Sequence, residues 1–163
     1  MNIVKISLRK KLLLVFSWVI LFVMGLCVSS VTIGTVQAAS CTGSSCHGYN
    51  PNSMGCDADA TTIQSDDYYG ALVERRHSQT CNAAWERTKN ISGSSMYTAG
   101  SIRYGCANYC YHFSVSTSSP IAHNQKVYTS MVAPHSTIPT LACGRVSSSG
   151  ISTPCTYYCP GQH

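Results

Sequence analysis

The sequence predicts a small, mainly β, disulfide-rich domain, a barrel or a sandwich with one short helix. Three observations predict it. Nine of the ten cysteines fall after residue 38. Apolar and polar residues alternate with a period of two in several short segments, and Ser/Gly clusters punctuate the chain between them.

The first 38 residues read as a secretory signal. Lys5, Arg9, Lys10 and Lys11 precede an apolar run from Leu12 to Val28, and Val36-Gln37-Ala38 offers the small residues of a cleavage site. Cleavage after Ala38 is the favoured reading. The competing reading is an uncleaved anchor, because the run approaches bilayer-spanning length. In both, the rest of the chain is exported and meets the membrane only through this segment. Cys27 lies inside the run and is left out of the fold.

Four of the 11 Lys and Arg residues sit in that segment, so the mature part carries seven bases against six carboxylates. No basic stripe of the kind that binds nucleic acid remains. All six carboxylates, Asp57, Asp59, Asp66, Asp67, Glu74 and Glu86, lie in one short stretch. Any carboxylate chemistry must come from there.

Residues 39–163 suit a single secreted domain, yet their supply of large apolar side chains is poor: two Leu, six Ile, five Val, three Met, Phe113 and Trp85. Without crosslinks such a composition would not offset chain entropy. The framework Cys41, Cys46, Cys56, Cys81, Cys106, Cys110, Cys143, Cys155 and Cys159 supplies them, at about 2 to 4 kcal/mol per bridge. Nine is odd, so four bridges leave one cysteine over, to stay unpaired, pair with another molecule or react, and about 945 arrangements are open. Cys159 or Cys155, near the terminus, is the preferred odd one. Ten tyrosines are expected to add buried area with a polar tip.

In chain order, Gly43, Gly48 and Gly55 stand beside cysteines where the backbone must turn sharply, and Pro51 stiffens a turn. Ala71 to His77 reads as a strand. Ser78 then caps a short helix in which Cys81, Ala84, Trp85 and Thr88 recur at helical offsets. Tyr111, Phe113 and Val115 alternate with His112, Ser114 and Ser116, and Val127, Thr129 and Met131 alternate with Tyr128, Ser130 and Val132; both patterns predict two-faced strands. Loops are expected at Ser92–Ser95, Ser116–Pro120 and Ser147–Gly150.

A run of motifs then carries a family likeness. Cys41-x-Gly43-x-x-Cys46-x-Gly48-x-x-Pro51, Gly55-Cys56, Asp59-Ala60, Val73-Glu74-x-Arg76-x-Ser78 and Cys81-x-x-Ala84-Trp85-x-Arg87 follow in order. In this part, about residues 41–90, the chain resembles domain-of-unknown-function family 2690, the YjfA-like secreted bacterial proteins. Asn50-Pro51 replaces an expected Asp-Pro step, and His77 holds an aromatic position. The likeness thins after Asn90. It implies an exported, disulfide-stabilised bacterial domain with no established activity.

Glu74 and Arg76 share one face of their strand and, with Arg87 near, suit an ion-pair network. They and Trp85 are the candidate binding residues, although structural pairing and core packing are the favoured roles. Cys41-x4-Cys46-His47 is too widely spaced for haem attachment. Cys106, Cys110, His112, Cys155 and Cys159 have zinc-ligand types, but export favours disulfides. Asp57-x-Asp59 lacks the rest of a calcium loop. No cofactor or metal is expected. A surface rich in Tyr, Ser, Thr, Gly and Asn suits binding of a cell-wall glycan or an extracellular protein, with Tyr111 and Tyr128 as contacts if their rings face outward. The alternative is a small secreted hydrolase using a histidine such as His77 with Asp66 or Asp67, or carboxylates paired from Asp57, Asp59 and Glu74.

Overall fold

The computed structural model describes residues 38–105 and 111–151. Among them are a 3-10 turn, Gly43–Cys46, and seven strands: β1 (Thr61–Tyr68), β2 (Ala71–Ser78), β3 (Ala83–Asn90), β4 (Tyr97–Tyr104), β5 (Tyr111–Ser116), β6 (Lys126–Tyr128) and β7 (Thr140–Ser147). One sheet runs β1-β2-β3-β6 and the other β5-β4-β7, with every pairing antiparallel. β2 and β3 pack against β4 and β7. The fold is therefore an open sandwich and not a closed barrel. Cys106, Cys110, Cys155 and Cys159 lie outside the described residues, and so does the question of which cysteine is odd.

The predicted strands at Ala71–His77 and Tyr111–Ser116 are present as β2 and β5; two of the predicted loops separate strands, and the third follows β7. The expected helix is corrected. Residues 79–82 form a turn, and from Ala83 onward the chain is strand β3. Its burial explains the misleading pattern: Ala83, Ala84, Trp85 and Glu86 are all buried in succession. Ala84, Glu86 and Thr88 face the second sheet, while Ala83 and Trp85 face a cap made by the N-terminal cysteine segment. A strand covered on both faces shows no alternation, and a short apolar run then mimics a buried helix turn.

The cap is where the crosslinks act. Cys41–Cys46 and Cys56–Cys81 are disulfides with Cα separations of 5.2 and 5.8 Å, and Cys143 is disulfide-bonded as well. Cys46, Cys56 and Cys81 pack with Ala83, Trp85, Met131 and Ala133 in one fully covered cluster. Backbone bonds pin the same segment to the sheet side: the Ser40 N–H donates to Met54 O and the Gly43 N–H to Cys81 O, each at 2.9 Å.

Between the sheets the interior is partly polar. Glu86 is fully buried, its carboxyl accepting from the Thr88 hydroxyl. Gly100 on β4 and Gly144 on β7 are register partners, and a Cβ on either would collide with this pair: Gly100 faces the Glu86 carboxyl, Gly144 the Thr88 hydroxyl and Val73. The two glycines open a slot that the Glu86 and Thr88 side chains fill. Burial drives the Glu86 pKa well above its ordinary value, against the lowering effect of the Thr88 bond.

The tyrosines correct a second expectation. None of the seven described ones is buried: Tyr49, Tyr68, Tyr69 and Tyr111 are exposed, and Tyr97, Tyr104 and Tyr128 are half-buried. The core rests on a few large side chains, Trp85, Ile102, Met131, Val73 and Val132.

Candidate binding face

The aromatic surface grows out of the core by the pleat of two strands. On β4 and β5, Ile102 pairs with Phe113 and Tyr104 with Tyr111, so these four side chains share the face that looks toward the first sheet. Ile102 is wholly buried against Ala84 and Val132, with Tyr104 and Phe113 packed at the margin of that cluster. Two residues further along, cover runs out, and Tyr111 is 66% exposed. Apolar core thus continues into open surface as a row of rings.

His47, just after the 3-10 turn, closes the row from the other side. Its ring centroid lies 5.3 Å from Tyr104 and 5.2 Å from Phe113. The Ala133 N–H donates to its Nδ1 at 3.3 Å, which fixes the ring. Tyr104 stacks on Tyr111 at 5.7 Å and lies 5.4 Å from Phe113. Such offset and edge contacts hold the rings in place at little entropic cost. Burial, with Tyr111 beside it, raises the Tyr104 pKa, so the phenol keeps its hydrogen and can donate. The arrangement offers apolar ring surface edged by hydroxyl and imidazole groups. Tyr49, nearby in sequence, is 53% exposed.

The candidate binding residues Glu74, Arg76 and Trp85 lie elsewhere. Glu74 and Arg87 form an ion pair, Arg87 Nε and Nη2 donating to Oε2 and Oε1 at 2.6 Å each. The Thr62 hydroxyl adds a bond to Glu74 Oε1 at 3.0 Å. Arg76 donates to Thr62 Oγ1 and to Ala60 O, both at 2.6 Å. Trp85 is fully covered in the cap cluster. Of the two tyrosines expected to be contacts, Tyr111 faces outward, whereas Tyr128 is half-buried against that cluster, with Lys126 Nζ 5.5 Å from its ring centre.

Burial alone would raise the Glu74 pKa, but the bonds and charge of Arg87, with Thr62 and Arg76, outweigh it and hold the carboxyl below its ordinary value. A lowered carboxyl pKa gives stability that is present above the unfolded-state value and is lost as pH falls through the folded one. Glu74→Gln is therefore expected to cost about 2 kcal/mol at pH 7, since it leaves a nearly buried guanidinium short of its charge partner. The gap to the unmodified protein should narrow at pH 3. Denaturant titrations of both proteins at the two pH values check this, and an unchanged gap would remove the ion pair as its cause.

Of the hydrolase pairings, His77 with Asp66 or Asp67 is not assembled. His77 is in register with Thr61, and Asp66 with Val73, so they sit toward opposite ends of the β1–β2 hairpin, roughly 13 Å apart along the strand. His77 lies against His135 at 4.8 Å. Asp59 accepts from the Ser78 hydroxyl at 2.5 Å and from the Thr80 N–H at 2.9 Å, closing the turn that follows β2.

A family model described as "Protein of unknown function (DUF2690)" matches residues 44–143, more than half of the chain. The chain belongs to this family. No curated protein and no solved structure matches it. The DUF2690 match runs well past Asn90, where the likeness read from motifs thins, and takes in β4, β5 and β6. All the rings of the aromatic face, His47 to Phe113, fall inside the DUF2690 region. The sequence pattern pointed to Tyr111 and Phe113 but not to His47 or Tyr104, whose part depends on contacts between distant segments.

Proposed function

We propose that this DUF2690 protein is a secreted, cell-wall-associated binding module that takes a glycan on the face formed by His47, Tyr104, Tyr111 and Phe113. The observation that carries the reading is that face: interlocked rings, continuous with the core on one side and open to solvent on the other. A sugar ring has an apolar C–H face and an equatorial rim of hydroxyls. Rigid aromatic surface edged by hydroxyl and imidazole groups complements both. The basic start and apolar run of residues 1–38, together with disulfides in the described domain, support export, since such bonds persist in oxidising surroundings. Among the described residues no helix is long and apolar enough to cross a membrane.

Retention of the purified protein on insoluble peptidoglycan and on wall polysaccharide tests the proposal. Tyr111→Ala is expected to weaken retention roughly 3- to 10-fold, the worth of one well-placed aromatic contact. Tyr69→Ala, which removes an 83% exposed ring from the β1–β2 turn, should leave it unchanged. Equal losses in the two variants would point to nonspecific stickiness and sink the assignment, as would no retention on any wall fraction.

A further inference from the structure

The four cysteines of the cap are closer to one another than two independent crosslinks require. All four Sγ atoms lie within 4.8 Å of one another. Across the two disulfides, Cys41 Sγ is 3.7 Å from Cys56 Sγ, at van der Waals contact. Their exposure is unequal: Cys46, Cys56 and Cys81 are fully covered, while Cys41 is half-buried. A surface recess lined by Ala39, Ser40, Cys41, Thr42, Ser45 and Thr80 opens onto Cys41. The backbone bonds from Ser40 to Met54 and from Gly43 to Cys81 also tie these segments together.

From this geometry we infer that the cap is a thiol–disulfide exchange site whose substrate is an external dithiol, admitted at Cys41 and relayed to Cys56. The thiolate of the dithiol attacks Cys41 Sγ, the one sulfur the recess exposes; an S–S bond forms to Cys41 and Cys46 leaves as a thiolate. The second thiol of the reagent attacks its own sulfur in that mixed disulfide, departs as the oxidised cyclic disulfide, and releases Cys41 as a thiolate. Cys41 then attacks Cys56 Sγ and displaces Cys81. Two electrons pass from the dithiol to the protein, and its two protons end on Cys46 and Cys81. The product holds a Cys41–Cys56 disulfide in place of the original pair. Exchange is favoured here because attacker and target are already in contact.

Limited reduction of the intact protein with dithiothreitol, acid quench, alkylation with N-ethylmaleimide and fragment-ion mass spectrometry test the relay. Within the four-cysteine cap, the expected two-electron product carries the Cys41–Cys56 crosslink with label on Cys46 and Cys81. Label on Cys41 and Cys46 with Cys56–Cys81 intact would overturn the inference. So would label on Cys56 and Cys81 with Cys41–Cys46 intact, or direct passage to the fully reduced cap with no two-electron species.

Discussion

Full reduction of the disulfides is expected to lower the stability of the domain by at least about 5 kcal/mol and to abolish its native tertiary signals. The two bridges of the cap close loops with sequence separations of 5 and 25 residues. Loop-closure entropy assigns about 2 kcal/mol to the first and about 3.5 kcal/mol to the second. The crosslink at Cys143 adds to this sum. Small domains have total stabilities of about 5 to 15 kcal/mol, so the loss takes most or all of it. The apolar core cannot compensate, because few large side chains are fully buried. Near-ultraviolet circular dichroism reports the outcome directly, since Trp85 packs against the bridged cysteines themselves. A reduced protein that kept the tryptophan signal and a similar melting temperature would show that burial, not crosslinking, holds the fold.

The same division between crosslinks and core governs how much of this fold could be read from the chain. β2 and β5 were legible because each has one polar face or a run of β-formers between turn residues. β3 was misread because the cap and the second sheet bury it on both sides. β4 and β7 escaped notice for a complementary reason. Their inward positions include Gly100 and Gly144, small because the Glu86 and Thr88 side chains reach into them, so the expected row of large apolar residues is absent. β1 is polar and mostly exposed; pairing with β2, not burial, makes it a strand. The candidate site was half legible. The period of two in Tyr111-x-Phe113 marks one face of a strand, but not whether that face is covered. Covering depends on which elements lie above it, and those come from residues 47 and 104.

Gly100→Ala is expected to cost about 3 kcal/mol, a large effect for one methyl group, and the cause is specific to Glu86. The added Cβ would overlap the Glu86 carboxyl, which is fully covered. Overpacking of a tight interior costs about 1 to 3 kcal/mol, with displacement of a hydrogen-bonded polar group on top. Shortening the acid removes the obstacle, so the Gly100→Ala penalty should fall by more than half in a Glu86→Ser background, a coupling measurable by a double-mutant cycle. The acid itself sets a pH dependence. Because burial raises its folded-state pKa, Glu86 stays protonated in the folded domain where the unfolded chain has lost its proton. Its contribution is thus most favourable below the ordinary carboxylate pKa and declines as pH rises toward the folded value, at no more than about 1.4 kcal/mol per pH unit for one proton. Glu86→Gln keeps the shape and has no proton to lose. Relative to the unmodified protein it should therefore gain stability from pH 4 to pH 7. Denaturation midpoints for the two proteins across that range decide the point: parallel curves would mean that Glu86 is ionised inside the sandwich, and the slot between Gly100 and Gly144 would then have to be explained by charge instead of by shape.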